Sequence, residues 1–293
     1  MSLKMDKKHI KEMFNASRLP IIEFSLQDVS RKAQQLTGKL SISGVQPKLS
    51  VKLDRTNNSL ISVAEGGEYI LKPQNQAFPN IPENEQCCMD IAAEFGIDVP
   101  PHCLLPLKDG SLAYIVKRFD RKSGMKIHQE EFFQISSPKD KYKGSVEQIG
   151  RKLKEISTAP GYDVQLFFER VVFNFIIGNG DAHLKNYSIA YLDNETIRLT
   201  SAYDIVCSKL VIPDEEDSAL AINGKRGHLK REDFDRLADY LNIPIKIRYD
   251  KFKKCLNLMK TTINNSELKE EIRGQFINII KERLSRMDLV THE

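Results

Sequence analysis

The chain of 293 residues carries 44 Lys and Arg against 40 Asp and Glu, a net charge of 44 − 40 = +4, with 41% apolar and 29% charged residues. That composition excludes a disordered or fibrous chain and supplies enough apolar material for one large domain or two cored lobes. No apolar run approaches a membrane span and no signal-peptide pattern opens the chain; five cysteines without a CxxC pair exclude a disulfide scaffold and the usual zinc site, so a cytoplasmic protein with reduced thiols is expected.

In chain order, residues 6–16 read as a short helix. A second helix, from Ser25 to about Gln35, is marked by Ser25 as a cap and Asp28 three residues on. Thr37-Gly38-Lys39-Leu40 ends it and leads into Ser41-Ile42-Ser43-Gly44-Val45-Gln46-Pro47-Lys48. From Leu49 the period changes: Leu49, Val51 and Leu53 alternate with Ser50, Lys52 and Asp54, as in a half-buried strand. Asn57-Asn58 turns into a strand over 59–64, and Gly66-Gly67 into another over 68–72 that ends at Pro73, so a small antiparallel meander is expected. A polar loop over 73–82 precedes a helix from about Glu83 to Phe95, which Gly96 terminates. Strands over 103–107 and 112–116 flank the turn Lys108-Asp109-Gly110, and Arg118-Phe119-Asp120-Arg121 closes this region.

The remaining pattern is mainly helical. Helices are expected over 146–156, 164–177, 232–242, 246–263 and 266–288, with a hairpin over 187–201 turning at Asp193-Asn194. The helix over 164–177 is apolar on several faces and reads as buried. Basic clusters stand at Lys139-Lys141-Lys143, Arg151-Lys152-Lys154, Lys225-Arg226 with Lys230-Arg231, and from Lys246 to Lys254. Acidic residues interspersed in most of these regions favour solvated faces over a nucleic-acid surface.

The apolar run ending at Phe175-Ile176-Ile177 stops abruptly at Gly178-Asn179-Gly180, and Asp181-Ala182-His183-Leu184-Lys185-Asn186 follows. A carboxylate, an imidazole, an amine and an amide at the end of a buried element form an active-site pattern, although alone they also fit a polar turn between a core helix and a strand. Three polar sites then line up: the small-residue loop Ser41 to Lys48, Lys72 at a strand end, and Asp181, Asn186 and Asp204 further on. Phosphoryl transfer needs backbone donors and a cation for nucleotide phosphates, hard oxygens for Mg²⁺, and a carboxylate that takes the acceptor's proton. The Asp181-to-Asn186 step matches the spacing of a protein-kinase catalytic loop. The hairpin between them returns Asp204 toward Asn186.

These residues resemble the HipA-type serine/threonine kinases, the toxin subunits of HipBA and HipBST modules. The resemblance runs from about Ser41 to Lys230. Besides the Ser loop it takes in Tyr69-Ile70-Leu71-Lys72-Pro73, Asn84-Glu85, Gly96-Ile97-Asp98-Val99-Pro100 and Val116-Lys117-Arg118-Phe119-Asp120-Arg121. It continues through Gln129 to Gln134, Lys141-Tyr142, Gly178 to Asn186 and Tyr203-Asp204-Ile205. It implies an α+β, bilobal protein-kinase-like fold, with a β-rich N-lobe over 1–119 and a mainly helical C-lobe over 120–293.

The resemblance also implies roles. Asp181 would be the catalytic Asp, and Asn186 and Asp204 would bind Mg²⁺. ATP would be held by Ser43, Gly44, Val45, Gln46, Lys72, a hinge at 117–119 that includes Lys117 and Phe119, and by His183 and Lys185. Ser41 or Ser43 would be autophosphorylated, ejecting the loop by placing about two negative charges where ATP phosphates must sit. Implied partners are a helix-turn-helix HipB-like antitoxin, DNA only through that antitoxin, and a protein substrate such as an aminoacyl-tRNA synthetase, with no membrane. Only forty residues precede Ser41, so the chain is similar to the short HipT-like form, for which a small HipS-like protein supplies an N-terminal piece. Two departures stand out: Glu131-Phe132-Phe133 after Gln129, where the family usually has Asp-Cys or Asp-Phe before Gln, and Lys117 where the hinge often has Glu. A non-catalytic partner of a DNA-binding antitoxin, and a small-molecule or lipid kinase of the same fold, are the alternatives.

Overall fold

The computed structural model describes residues 5–37, 48–75, 77–122, 124–253 and 255–289. It resolves into two compact units, one formed by residues 1–86 with 100–125 and the other by 87–99 with 126–293. The Ser loop, with Ser41, Ser43, Gly44, Val45 and Gln46, lies outside the described residues. Among the described residues no helix is long and apolar enough to cross a membrane.

The first unit is built on a five-stranded antiparallel sheet of β1 (Leu49–Asp54), β2 (Ser59–Ser62), β3 (Tyr69–Pro73), β4 (His102–Pro106) and β5 (Leu112–Lys117), in the order β2-β1-β3-β5-β4. The expected meander is corrected here: β3 pairs with β1, opposite Ser50 and Val51, and not with β2. The link between β2 and β3 folds back along β1, with the Glu68 N–H donating to the Val51 carbonyl at 3.0 Å. Gly67 permits that close approach, because a Cβ there would stand 1.9 Å from Ser50 Oγ. Helix α1 (Lys7–Phe14), capped by Asp6, lays Met13 and Phe14 against Tyr69, Leu71 and Ile115 in one apolar core. Helix α2 (Leu26–Thr37) starts where Ser25 and Asp28 predicted, their side chains and backbone N–H groups bonding reciprocally at 3.0 and 3.3 Å.

Helix α3 (Ile81–Glu94) ends in a Schellman motif: Gly96 adopts a left-handed φ of 66°, and the Ile97 N–H reaches the Ala92 carbonyl at 3.0 Å. Two-residue strands β6 (Arg121–Lys122) and β7 (Met125–Lys126) follow β5. In the second unit, strand β8 (His128–Glu131) and helix α4 (Phe132–Ser136) occupy the Gln129 motif, which the sequence had marked without assigning an element. Strand β8 pairs with β9 (Ser188–Tyr191), which pairs in turn with β10 (Ile197–Leu199).

Helices α5 (Val146–Ile156), α6 (Pro160–Ile176), α7 (Arg231–Leu241), α8 (Leu256–Asn265) and α9 (Glu270–Arg286) complete this unit, with α5, α7 and α9 packed against α6. The sequence expected one helix over 246–263, but two 3₁₀ turns, 245–247 and 250–252, replace its first half. Tertiary packing overrides helix propensity there. Tyr249 leaves helical geometry to bond Asp235 at 2.9 Å and pack on Phe168, while Phe252 stacks on Phe95.

Helix α6 is the centre of this unit. Phe167, Phe168, Phe173 and Ile176 are fully buried, each stabilising by roughly 1.5–3 kcal/mol relative to exposure. Near its start, buried Asp163 accepts bonds from Ser157, from the Arg198 guanidinium and from the Leu199 N–H. Burial alone would raise this carboxyl, but those bonds hold it below the usual carboxylate range. One carboxylate thus fixes the β9–β10 hairpin to α6.

Candidate functional site

In the first unit, Lys72 lies on β3 between β1 and β5, directly across from Tyr114. Its ammonium meets Glu85 Oε1 at 2.6 Å, with side-chain exposures of 8% and 2%, and stands 5.6 Å from the centre of the Tyr114 ring. Both charges are out of water, so each depends on the other to offset its desolvation. Glu85 sits in the second turn of α3, which places a strand lysine against a helix glutamate.

Lys117 extends its amine to the Glu12 carbonyl at 2.9 Å and its N–H to the Pro101 carbonyl at 2.8 Å, and the Arg118 N–H is bonded to the Glu68 carbonyl. The Lys117 side chain is therefore anchored to α1 through one of its three donors. Phe119 is half-buried. Beyond it, Arg118 and Arg121 both pair with Asp120; burial acts to raise that carboxyl, but the two guanidiniums prevail and lower it.

The second unit holds the loop from Asp181 to Asn186. Its position is set by the end of α6. Gly178 takes φ 72°, its N–H bonds the Phe175 carbonyl, and the Asn179 N–H bonds the Asn174 carbonyl at 2.8 Å. This is a second Schellman motif. A Cβ on Gly178 would lie 2.9 Å from Ile279 and 3.2 Å from Lys209, so this site calls for glycine on two counts. Asn179 carries the turn forward, giving its amide to Asn174 Oδ1 and accepting the Asp181 N–H at 3.3 Å. The Gly180 N–H donates to Ser208 Oγ at 2.8 Å.

The Asp181 carboxylate is exposed and accepts the Tyr142 hydroxyl at 2.8 Å. His183 is buried, and Lys141 Nζ donates to its Nε2 at 2.7 Å, leaving the ring proton on Nδ1, which is buried and finds no hydrogen-bond partner among the described residues. Burial foremost, and then the Lys141 charge, push the His183 imidazole below its ordinary pKa, against the pull of Asp181 and Asp204. It is a neutral ring near pH 7. Asn186 Oδ1 accepts the His183 N–H at 2.9 Å, and the Asn186 N–H returns to the His183 carbonyl. Lys185 is exposed, its amine 4.7 Å above the Phe133 ring.

The hairpin brings the chain back to this loop. The Thr200 N–H bonds the Ser188 carbonyl, and the Tyr203 hydroxyl donates to the Lys185 carbonyl at 2.9 Å. Asp204 follows with a left-handed φ of 54°, a region in which Asp and Asn are the side chains most readily tolerated. Asp98 holds the approach through Ser201 Oγ at 2.7 Å and the Ala202 N–H at 2.7 Å. Asp181, His183, Lys185, Asn186 and Asp204 therefore belong to one strapped loop system.

The donor chemistry fits a hard divalent cation. Asn186 Oδ1 keeps one lone pair beyond its bond to His183, and Asp204 offers a carboxylate. Two protein oxygens are few, and among the described residues no group of three or more His, Cys, Asp or Glu forms a metal cage.

Below the loop, Glu215 accepts Ser208 Oγ at 2.6 Å, and burial pushes its carboxyl up to about 7. The sequence did not single out Glu215 or Ser208. It quoted Glu85 and Tyr142 only as part of a motif, and Lys141 there and in a basic cluster, none with a role at this site. The signal for Glu85 was available: a carboxylate early in the next helix, thirteen residues after a strand lysine. Nothing local marks Tyr142, which lies 39 residues from Asp181.

The HipA-like C-terminal domain matches residues 40–270. Y4dM of Sinorhizobium fredii, which carries a kinase designation in its name, is 38% identical over 72% of the chain and 56% of its own length. A protein of Haemophilus influenzae with a kinase designation is 33% identical over 69% of the chain and 60% of its own. The chain thus spans little more than half the length of these curated relatives. Among solved structures, HipA of Shewanella oneidensis, in a complex with HipB and operator DNA, superposes with a TM-score of 0.69 at 19% identity, covering 86% of this chain and 68% of HipA. The Helicobacter pylori proinflammatory kinase CtkA gives 0.54 at 17% identity, covering 78% and 88%. The fold is therefore α+β and protein-kinase-like.

Proposed function

The chain belongs to the HipA-like C-terminal domain family, and from that premise we propose that it is an ATP-dependent serine/threonine protein kinase. The observation that carries this reading is the buried Lys72–Glu85 pair at 2.6 Å on a strand and the helix that follows it. A strand lysine paired to a helix glutamate must be in place for a protein kinase to hold the ATP phosphates. The Asp181-to-Asn186 loop with Asp204 strapped beside it supports the same reading.

In the reaction, the acceptor hydroxyl oxygen bonds the γ-phosphorus as the bridging bond to ADP breaks, and the acceptor's proton passes to the Asp181 carboxylate. Asp181 also orients that hydroxyl. Lys72 supplies the fixed positive charge for the phosphates. Asn186 and Asp204 would hold Mg²⁺, whose charge would offset that building on the phosphate oxygens. The neutral His183 ring and the Asn186 amide keep the loop's shape, and Lys185 places a mobile cation at its rim. Phe119, with the carbonyl of Lys117, would meet the base of the nucleotide, and Ser43, Gly44, Val45 and Gln46 would cover its phosphates. Phosphate on Ser41 or Ser43 would oppose nucleotide binding by like-charge repulsion.

Toxicity through a translation-related substrate, with restraint by a DNA-binding antitoxin of the HipB kind and a small HipS-like chain, completes the reading. The antitoxin partner is drawn from the assembly recorded for the Shewanella protein. The test is labelled ATP followed by mass spectrometry. The native protein should carry phosphate on Ser41 or Ser43 and label a protein acceptor in lysate, and Asp181→Gln should do neither. Undiminished incorporation by that variant would remove the assignment.

A further inference from the structure

Resting on the kinase reading above, we propose that Tyr142 is a positioning residue for Asp181, fixing one carboxylate oxygen so that the other faces the acceptor hydroxyl. Three observations carry this. The first is the bond itself, Tyr142 Oη to Asp181 Oδ1 at 2.8 Å, which among the described residues is the one side-chain hydrogen bond to that carboxylate.

The second is that Tyr142 is held from both sides. Arg226 donates to its carbonyl, and its ring meets the His183 ring edge-on with centres 5.3 Å apart. The preceding residue is tied to the same loop twice: the Lys141 carbonyl accepts the Leu184 N–H at 3.2 Å, and its amine donates to His183 at 2.7 Å. The Lys141 amine also lies 4.7 Å from the centre of the Tyr142 ring. Residues 141–142 therefore grip the loop at Asp181, His183 and Leu184, and the phenol is a fixed donor rather than a swinging one.

The third is the exposure of Asp181. A solvated carboxylate has a broad χ2 and turns freely about it. A base is effective only within hydrogen-bond reach of the proton it takes, and a displacement near 1 Å costs on the order of 100-fold in rate. Fixing Oδ1 selects one orientation and leaves the Oδ2 lone pairs for the incoming hydroxyl. The phenol proton stays on Tyr142, because burial and the neighbouring Asp181 charge raise its pKa far above neutrality.

The experiment is steady-state phosphate transfer by the full chain with Mg²⁺ and ATP, comparing the native protein, Tyr142→Phe and Asp181→Asn, with ATP calorimetry and melting temperature beside each. Phenylalanine keeps the ring against His183 and removes only the donor. The expected result is a kcat about 10- to 100-fold lower for Tyr142→Phe, with the KM and Kd for ATP and the melting temperature unchanged. A native kcat, or a loss that appears equally in ATP affinity and melting temperature, would overturn the positioning role. If Asp181→Asn is inactive while Tyr142→Phe is fully active, only this inference fails. If Asp181→Asn transfers phosphate at the native rate, the role of Asp181 as base fails and this inference with it; if the native protein itself transfers none, it is the kinase reading that fails.

Discussion

Lys72 and Asp181 carry opposite charges and are confined in opposite ways. Lys72 is 8% exposed and closed against a carboxylate that is itself 2% exposed. Asp181 stands in solvent, held by a neutral hydroxyl. On the proposed reading, the difference follows from what each would have to do. A cation that serves only as a fixed charge can be sealed with its counter-ion, and gains strength from the low dielectric around it. A base that must take a proton from an arriving hydroxyl has to keep a lone pair accessible and its basicity unspent. Pairing Asp181 to an arginine would hold it more firmly and would also make it a poorer proton acceptor.

The two residues should therefore fail differently, and the largest effect separates them most cleanly. Asp181→Asn should reduce phosphate transfer by about 10³-fold or more, since general-base catalysis is worth 10²–10⁴. As an exposed residue it should change stability by no more than about 0.5 kcal/mol. Glu85→Ala should do both kinds of damage. It removes the carboxylate that stands 2.6 Å from the buried Lys72 ammonium, at about 3–5 kcal/mol of stability, and lets the amine leave the position that the proposed reading assigns to phosphate binding. Urea denaturation and a rate assay on the same preparations distinguish the pair. A Glu85→Ala protein with native stability would break the contrast.

How much of this could be read from the sequence follows from the range of the interactions. The turn at Gly178-Asn179-Gly180 was legible because a Schellman motif is local, closing between Asn174 and Asn179. The same holds for the Ser25–Asp28 start of α2 and for the hairpin that returns Tyr203 to Lys185. Alternation gave the strands but not their order, since β1 lies between β2 and β3 through a link whose close contact depends on Gly67. The broken helix at 245–252 failed for a related reason: Tyr249 and Phe252 satisfy partners on α7 and near α3 that no local pattern names. In the candidate site, spacing marked Asp181 and Asn186. The residues that hold them, Tyr142, Lys141, Ser208 and Glu215, come from segments brought in by the fold.

An intermediate effect tests how far the accessible region depends on its support. A Cβ at Gly180 would stand 2.5 Å from the Glu216 carbonyl oxygen and 2.6 Å from Glu215 Cδ. One of those contacts is backbone and cannot swing away, so the loop itself must shift. Gly180→Ala should destabilise by about 1–3 kcal/mol and, by moving the next residue, lower kcat more than the KM for ATP. Equal loss in both would mean that the loop tolerates displacement and that Asp181 needs no fixed seat.

The smallest effect concerns Glu215, a half-buried carboxyl beside the exposed one. Glu85 has a lysine against it; Glu215 has the Ser208 hydroxyl and the Gly180 N–H, and its own backbone carbonyl, not its side chain, takes the Lys209 amine. Burial therefore wins and its pKa rises to about 7. A carboxyl whose folded pKa lies above its unfolded value binds the proton more tightly when folded. Its contribution to stability is complete below the unfolded carboxyl range, falls as pH rises, and is gone once pH passes about 7. The group is partly solvated, which screens the effect, so the fall should be about 1–2 kcal/mol between pH 5 and pH 8. Glu215→Gln keeps the shape and removes the titration, so its denaturation midpoint, compared with the native protein over that range, should lose this part of the pH dependence. Parallel curves for the two proteins would show that Glu215 ionises without penalty, and that the ground beneath Asp181 is as wet as Asp181 itself.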